Sequence, residues 1–208
     1  MTDIFIVSGV RTAVGTFGGS LKDTPPADLA ATATREAIAR SGLEAEAVGH
    51  VVFGQVIQTE PRDCYLSRWA AVTAGCRIET PAMNVNRLCG SGLQAVVTAA
   101  QMLKLGEADV AVAGGAEVMS RAPYLVPGAR FGLKMGDAAM VDALTGALTD
   151  PFNRYHMGMT AENVAEAHGV DRAAQDDAAF ESHRRASAAC REGRFVEQIV
   201  PVEVRAKG

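Results

Sequence analysis

Cys89 is the residue in this sequence best placed to do covalent chemistry. It stands in Asn86-Arg87-Leu88-Cys89-Gly90-Ser91-Gly92, between a short strand-like run, Ala82 to Asn86, and a helical apolar pattern. A thiol at the start of a helix faces unpaired N–H groups and the positive end of the helix dipole, and both favour the thiolate. Glycines on either side of Ser91 let a substrate approach the backbone closely. The N–H of Cys89 is itself a candidate donor to an oxyanion. The competing reading is a small buried hydrophobe, which is what most free cysteines are. Cys64, Cys76 and Cys190 show neither C-x-x-C spacing nor histidines at zinc-ligand spacing, so no metal site is expected. Gly114-Gly115 lacks the continuation that a phosphate loop requires.

Placing that cysteine takes a strand before it and a helix after it, and the chain alternates the two patterns through its first two-thirds. Residues 3–10 are expected to form a buried strand, ended by the glycine-rich turn Gly15 to Gly19. Thr24-Pro25-Pro26 opens a helix carrying Leu29, Ala33, Ala37 and Ile38, which stops at Gly42. Val51-Val52-Phe53 reads as a second strand, and residues 63–75 as a helix ended by Gly75. After the Cys89 turn, Leu93, Val96, Val97, Ala100 and Leu103 form a helical apolar face ending at Gly106, and Asp109 to Ala113 is the next strand. Strand–helix–strand at this spacing demands parallel crossovers, with helices covering both faces of the sheet.

From about Ser120 the periodicity fades. Residues 120–159 read as a long irregular excursion rich in Pro, Gly and Met. Helical patterning returns after Thr160, and again from Asp171, a fitting N-cap, to about Glu192 with Gly193 as the stop. Ile199 to Val204 reads as a last strand. The expected division is a core over 1–119, then a loop domain and the start of a return to the core over 120–208.

Composition narrows the function classes. Of 208 residues 48% are hydrophobic and 21% charged, which excludes intrinsic disorder. The net charge of −4, with 20 basic and 24 acidic residues intermixed, offers no nucleic-acid footprint and no basic membrane surface. Four cysteines are ordinary usage rather than a disulfide scaffold. No apolar run reaches the ~18 residues of a spanning helix, and no leader pattern precedes Ile4, so a cytoplasmic location is expected.

The string Asn86-Arg87-Leu88-Cys89-Gly90-Ser91-Gly92-Leu93-Gln94-Ala95 resembles the nucleophile motif of thiolases, the acyl-CoA C-acetyltransferases. Three more segments resemble the same family in the same order: Ser8-Gly9-Val10-Arg11-Thr12, Gly114-Gly115-Ala116-Glu117-Val118-Met119-Ser120, and His156-Met157-Gly158-Met159-Thr160-Ala161-Glu162-Asn163. The resemblance covers essentially the whole chain, nearest to bacterial β-ketothiolases. It implies an α/β fold, the N-terminal βαβαβαββ half of a five-layered αβαβα sandwich with an inserted loop domain.

The same resemblance implies that Cys89 is the acylated cysteine, and that His156 and Met157 border the channel for the pantetheine arm. It further implies interconversion of a 3-ketoacyl-CoA, such as acetoacetyl-CoA, plus CoA with acetyl-CoA and acyl-CoA. Coenzyme A is then a substrate, and no cofactor or metal is called for. The expected partners are acyl-CoA and CoA, with a homo-oligomer (dimer or tetramer) or a chain supplying the C-terminal half. The family's Gly-His-Pro, Asn-Glu-Ala-Phe and Cys-x-Gly-Gly-Gly motifs do not occur between Met1 and Gly208. The expectation is an N-terminal portion, inactive as a 208-residue chain alone. Two alternatives stand beside it: a ketoacyl synthase-like condensing enzyme, and a non-catalytic CoA-binding or assembly subunit completed by a partner.

Overall fold

The computed structural model describes residues 3–204. The chain divides into two compact units, one made of Met1–Pro123 with Gln198–Gly208, the other of Tyr124–Glu197.

The first unit begins with a two-residue strand β1 (Arg11–Thr12), paired in parallel with β7 (Ile199–Val200). Helix α1 (Pro26–Ser41) follows a proline N-cap and stops at Gly42, whose φ of 72° is the left-handed conformation that suits glycine. Strand β2 (His50–Gly54) leads through a 3-10 turn, Pro61–Tyr65, to α2 (Leu66–Thr73) and then β3 (Ala82–Val85). Helix α3 (Ser91–Leu105) and strand β4 (Ala111–Gly115) complete the unit. The sheet order is β3-β2-β4, with β2 parallel to both neighbours.

β2 is the spine, buried at all five positions. Its side chains alternate between faces as a strand requires. Val51 and Phe53 pack into a cluster with Ala30 and Ile38 of α1 and Leu66 and Ala70 of α2. Val52 meets Ala95 and Ala99 of α3 on the opposite face. Both faces of the parallel sheet are thus covered by helices.

The structure corrects several of the sequence expectations. Residues 3–10 form no strand, and Phe5 and Ile6 stand 78% and 84% exposed. A strand exists only through a neighbour's ladder, and here only Arg11 and Thr12 find one. A cavity of about 720 Å³ is lined on one side by residues 4–17 and on the others by α1, α3 and β4. The buried stripe of α3 is Ser91, Ala95 and Ala99, while Leu93 is 72% exposed and Val96 and Val97 are also exposed. Small residues win the inner face because it lies close against β2. The helix expected from 63 begins at Leu66, since Pro61 starts a tighter 3-10 turn. β4 sits two residues later than expected, and β7 is two residues long rather than six.

The second unit is built from short pieces. β5 (Tyr124–Leu125) pairs antiparallel with β6 (Val141–Asp142), whose Asp142 caps α4 (Ala143–Ala147). Helix α5 (Met157–His168) starts earlier than the expected Thr160, because His156 supplies a side-chain cap. Helix α6 (Arg172–Arg191) carries the expected cap, Asp171 Oδ1 accepting from Ala174 N–H at 2.8 Å. Neither α5 nor α6 has a buried residue.

Candidate active site

The turn carrying Cys89 is closed by its own backbone and by two side chains. Gly90 and Ser91 donate their N–H groups to the carbonyls of Arg87 and Leu88 at 3.1 and 2.9 Å. These donors, which a free helix end would offer to a ligand, are therefore used within the turn. Ser91 Oγ donates to Leu88 O at 2.6 Å and accepts from Arg87 N–H at 2.8 Å, so it works as a clasp. Asn86 Oδ1 accepts from Leu88 N–H at 2.9 Å. Leu88 has a φ of 49°, left-handed backbone that costs a non-glycine residue about 1–2 kcal/mol. Arg87 and Gln94 are joined through their side chains.

Glycines seat this turn on the sheet. A methyl group on Gly54, the last residue of β2, would lie 2.4 Å from the Ser91 carbonyl carbon. One on Gly115, the last of β4, would lie 3.3 Å from Gly92 Cα. The first turn of α3 therefore rests on the carboxyl ends of β2 and β4, the place where open parallel sheets present their crevice. Gly115 and Ser91 stand in family-like segments, whereas Gly54 and the clasping role of Ser91 carry no such mark in the sequence; a strand pattern ending in glycine is the signal that could have found Gly54.

Two segments beyond the turn are tied to it. Asn86 Nδ2 reaches Val56 O at 3.4 Å. Glu117, two residues past β4, accepts from the N–H groups of Val56 and Ile57 at 2.8 and 3.2 Å. Desolvation pushes the Glu117 carboxyl above its ordinary value, opposed by those two N–H donors, and the nearby Asp63 charge adds to the rise.

All four cysteines are free thiols. Cys89 is exposed and its Sγ has no hydrogen-bond partner among the described residues. Cys76 is buried, and burial pushes its thiol up. Cys64 is exposed and faces Gln58 Oε1 at 3.5 Å. Cys190 is exposed on α6. No cluster of three or more His, Cys, Asp or Glu suited to a metal is found among the described residues.

His156 and Met157 lie in the second unit, whereas Cys89 lies in the first. His156 is the N-cap of α5, its Nδ1 accepting from Gly158 N–H at 3.0 Å, and its ring is exposed. Met157 opens the helix, its N–H bound to Leu148 O at 2.8 Å, and the residue is 39% exposed.

Residues 4–208 match the family model for the thiolase N-terminal domain. The chain belongs to the thiolase family. It is 64% identical over 200 residues to a β-ketothiolase, BktB, of Cupriavidus necator, covering 96% of this chain and 51% of that protein. It is 48% identical over 203 residues to an acetyl-CoA acetyltransferase of the same organism, covering 97% of this chain and 51% of the relative. The structure of human mitochondrial 3-ketoacyl-CoA thiolase in complex with CoA superposes with a TM-score of 0.92 at 40% identity, over 96% of this chain and 51% of that one. The fold is that of the N-terminal half of a thiolase. This thiolase chain spans about half the length of the relatives it matches. No helix among its described residues is long and apolar enough to cross a membrane.

Proposed function

We propose that this chain carries the acyl-accepting cysteine of a thiolase, and that Cys89 is that residue. The observation that carries the reading is the exposed Cys89 thiol, held by the Ser91 clasp and the glycine contacts at the start of α3. In the cleavage direction the Cys89 thiolate attacks the 3-keto carbon of a 3-ketoacyl-CoA such as acetoacetyl-CoA. The bond between that carbon and C2 breaks, its electron pair leaves as the enolate of acetyl-CoA, and a proton is added to give acetyl-CoA. The acyl group stays on Sγ until the thiolate of CoA takes it, releasing acyl-CoA and restoring Cys89. The reverse is a Claisen condensation. CoA is a substrate here, and no cofactor enters the balance.

His156 and Met157 are proposed to border the pantetheine arm, with the exposed His156 ring and Met157 side chain as its contacts. Cys89 must lose a proton and the enolate must gain one, and each positioned acid–base group contributes ~10²–10⁴-fold. No such group bonds to Cys89 Sγ among the described residues. Catalytic turnover accordingly needs groups supplied by another segment, a C-terminal half or a partner subunit in a homo-oligomer. The exposed Leu93, Val96 and Val97 face of α3 is suited to being covered in such an assembly.

The test is incubation of the 208-residue chain, of verified mass and free of other polypeptides, with acetoacetyl-CoA, first alone to read acetylation and then with free CoA as acyl acceptor to read turnover. The expected result is slow acetylation confined to the Cys89 peptide, with negligible steady turnover. Acetylation of another cysteine, or steady turnover near an ordinary rate of about 10 s⁻¹, overturns the reading.

A further inference from the structure

Leu88 holds a left-handed backbone conformation without being glycine, and such strain persists only where the surroundings over-determine it. Its N–H is bound by Asn86 Oδ1, and Asn86 is oriented in turn by its Nδ2 contact to Val56 O. Val56 belongs to the segment that leaves β2, and its own N–H, with that of Ile57, is held by the two carboxylate oxygens of Glu117. A carboxylate bridging two successive N–H groups is a charge-assisted, two-point grip. The grip joins the exits of β2 and β4, and the Val56 carbonyl passes it on to the Cys89 turn.

We infer that Glu117 is a positioning residue for Cys89, acting through Val56 and Asn86 to hold Leu88 in its left-handed conformation. The inference rests on the reading of Cys89 as the nucleophile. Without the Glu117 grip, the Val56–Ile57 segment shifts, Asn86 loses its anchor, and Leu88 relaxes toward ordinary backbone. Cys89, the next residue, then swings away from the start of α3, the kind of position that makes thiols reactive. The Ser91 clasp lies inside the turn and does not replace this hold, because it engages the carbonyl of Leu88 rather than its N–H.

The test follows iodoacetamide alkylation of each cysteine by peptide mapping, with Cys190 as internal reference. In the unaltered chain Cys89 leads; if it does not, the nucleophile reading fails before the positioning role is at issue. Glu117→Ala is expected to slow Cys89 about tenfold relative to Cys190, as the thiol leaves the helix start that activates it. Glu117→Gln keeps one acceptor oxygen and nearly the same shape, so it folds where Glu117→Ala fails to, and it loses a smaller part of the rate. The decisive variant adds Leu88→Gly to Glu117→Ala or Glu117→Gln, since glycine adopts the left-handed conformation without help. Restoration of the Cys89 rate by Leu88→Gly supports the positioning role, for general loss of stability is not cured by a glycine. Unchanged Cys89 rates in folded Glu117→Gln and Glu117→Ala, or no restoration by Leu88→Gly, overturns it.

Discussion

At the start of α3, Ser91 and Ala95 are pressed against β2 and a methyl group on Gly54 has no room; at the start of α5, His156 caps the helix with its own imidazole and nothing in the helix is buried. Both are helix beginnings that carry candidate site residues. One is held by close packing against a three-stranded sheet, the other by a local hydrogen bond. The same contrast runs through the two units. In the first, a fully buried strand organises clusters on both its faces. In the second, α6 is supported by the Asp171 cap and by exposed ion pairs of Glu181 with Arg184 and Arg185. Packing fixes a reacting atom in a way that exposed ion pairs do not, since exposed pairs give only small energies. Cys89, the proposed nucleophile, stands on the first kind of support.

The contrast breaks most visibly in the core. Leu66, fully buried between α1, α2 and β2, is expected to cost about 2–5 kcal/mol when cut to alanine, read as a lower urea midpoint of the first unit's transition. Phe180, an equally apolar side chain that is exposed on α6, is expected to change stability by less than about 0.5 kcal/mol on the same substitution. Equal losses at the two positions would remove the distinction between the units. Next in size, Asp171→Ala removes the cap of α6 and is expected to cost about 1 kcal/mol. Hydrogen exchange should show it as faster opening of the first turn of α6, with the amides of β2 unmoved.

How far these supports were readable from residue types depends on whether they are local. Gly42, Gly106 and Gly193 stop helices with φ of 72°, 75° and 69°, and Asp171 caps α6 as its spacing implies. Each of those signals acts within four or five residues of itself, so a single sequence carries it. The turn around Cys89 was legible for the same reason. What failed depended on distant partners. The apolar run Ile4 to Val10 has the pattern of a strand but no neighbouring ladder, so it stays irregular. On α3 the large apolar residues mark a packing face by their spacing, yet close approach to β2 selects Ala95 and Ala99 instead. Glu117 lies about sixty residues from the N–H groups it holds, and no local pattern announces such a contact.

The smallest effects concern two glutamates with opposite shifts. Glu117 is held above its ordinary value by desolvation, so its contribution to stability is complete below the unfolded value and is lost as pH rises through the folded one. Glu181 is held below its ordinary value by the hydrogen bonds from Arg184 and Arg185, so its contribution is present above the unfolded value and is lost as pH falls through the folded one. Acidification through about pH 4 therefore favours the fold at Glu117 and weakens it at Glu181. Glu181→Gln should flatten the acid-side loss of stability, and Glu117→Gln should steepen it. Carboxyl titrations followed by NMR should place the Glu117 midpoint above that of Glu181, and the reverse order would contradict the contrast.

The central claim, that the packed turn makes Cys89 the reacting thiol, is tested most directly by the alkylation rates of the four cysteines in the unaltered chain. Brief exposure to limiting iodoacetamide near neutral pH, followed by peptide mapping, ranks them in one experiment. The account predicts that Cys89 is modified first, ahead of the exposed Cys64 and Cys190, with the buried Cys76 last. Modification of Cys64 or Cys190 as fast as Cys89 would show that exposure alone governs the thiols and would contradict the account.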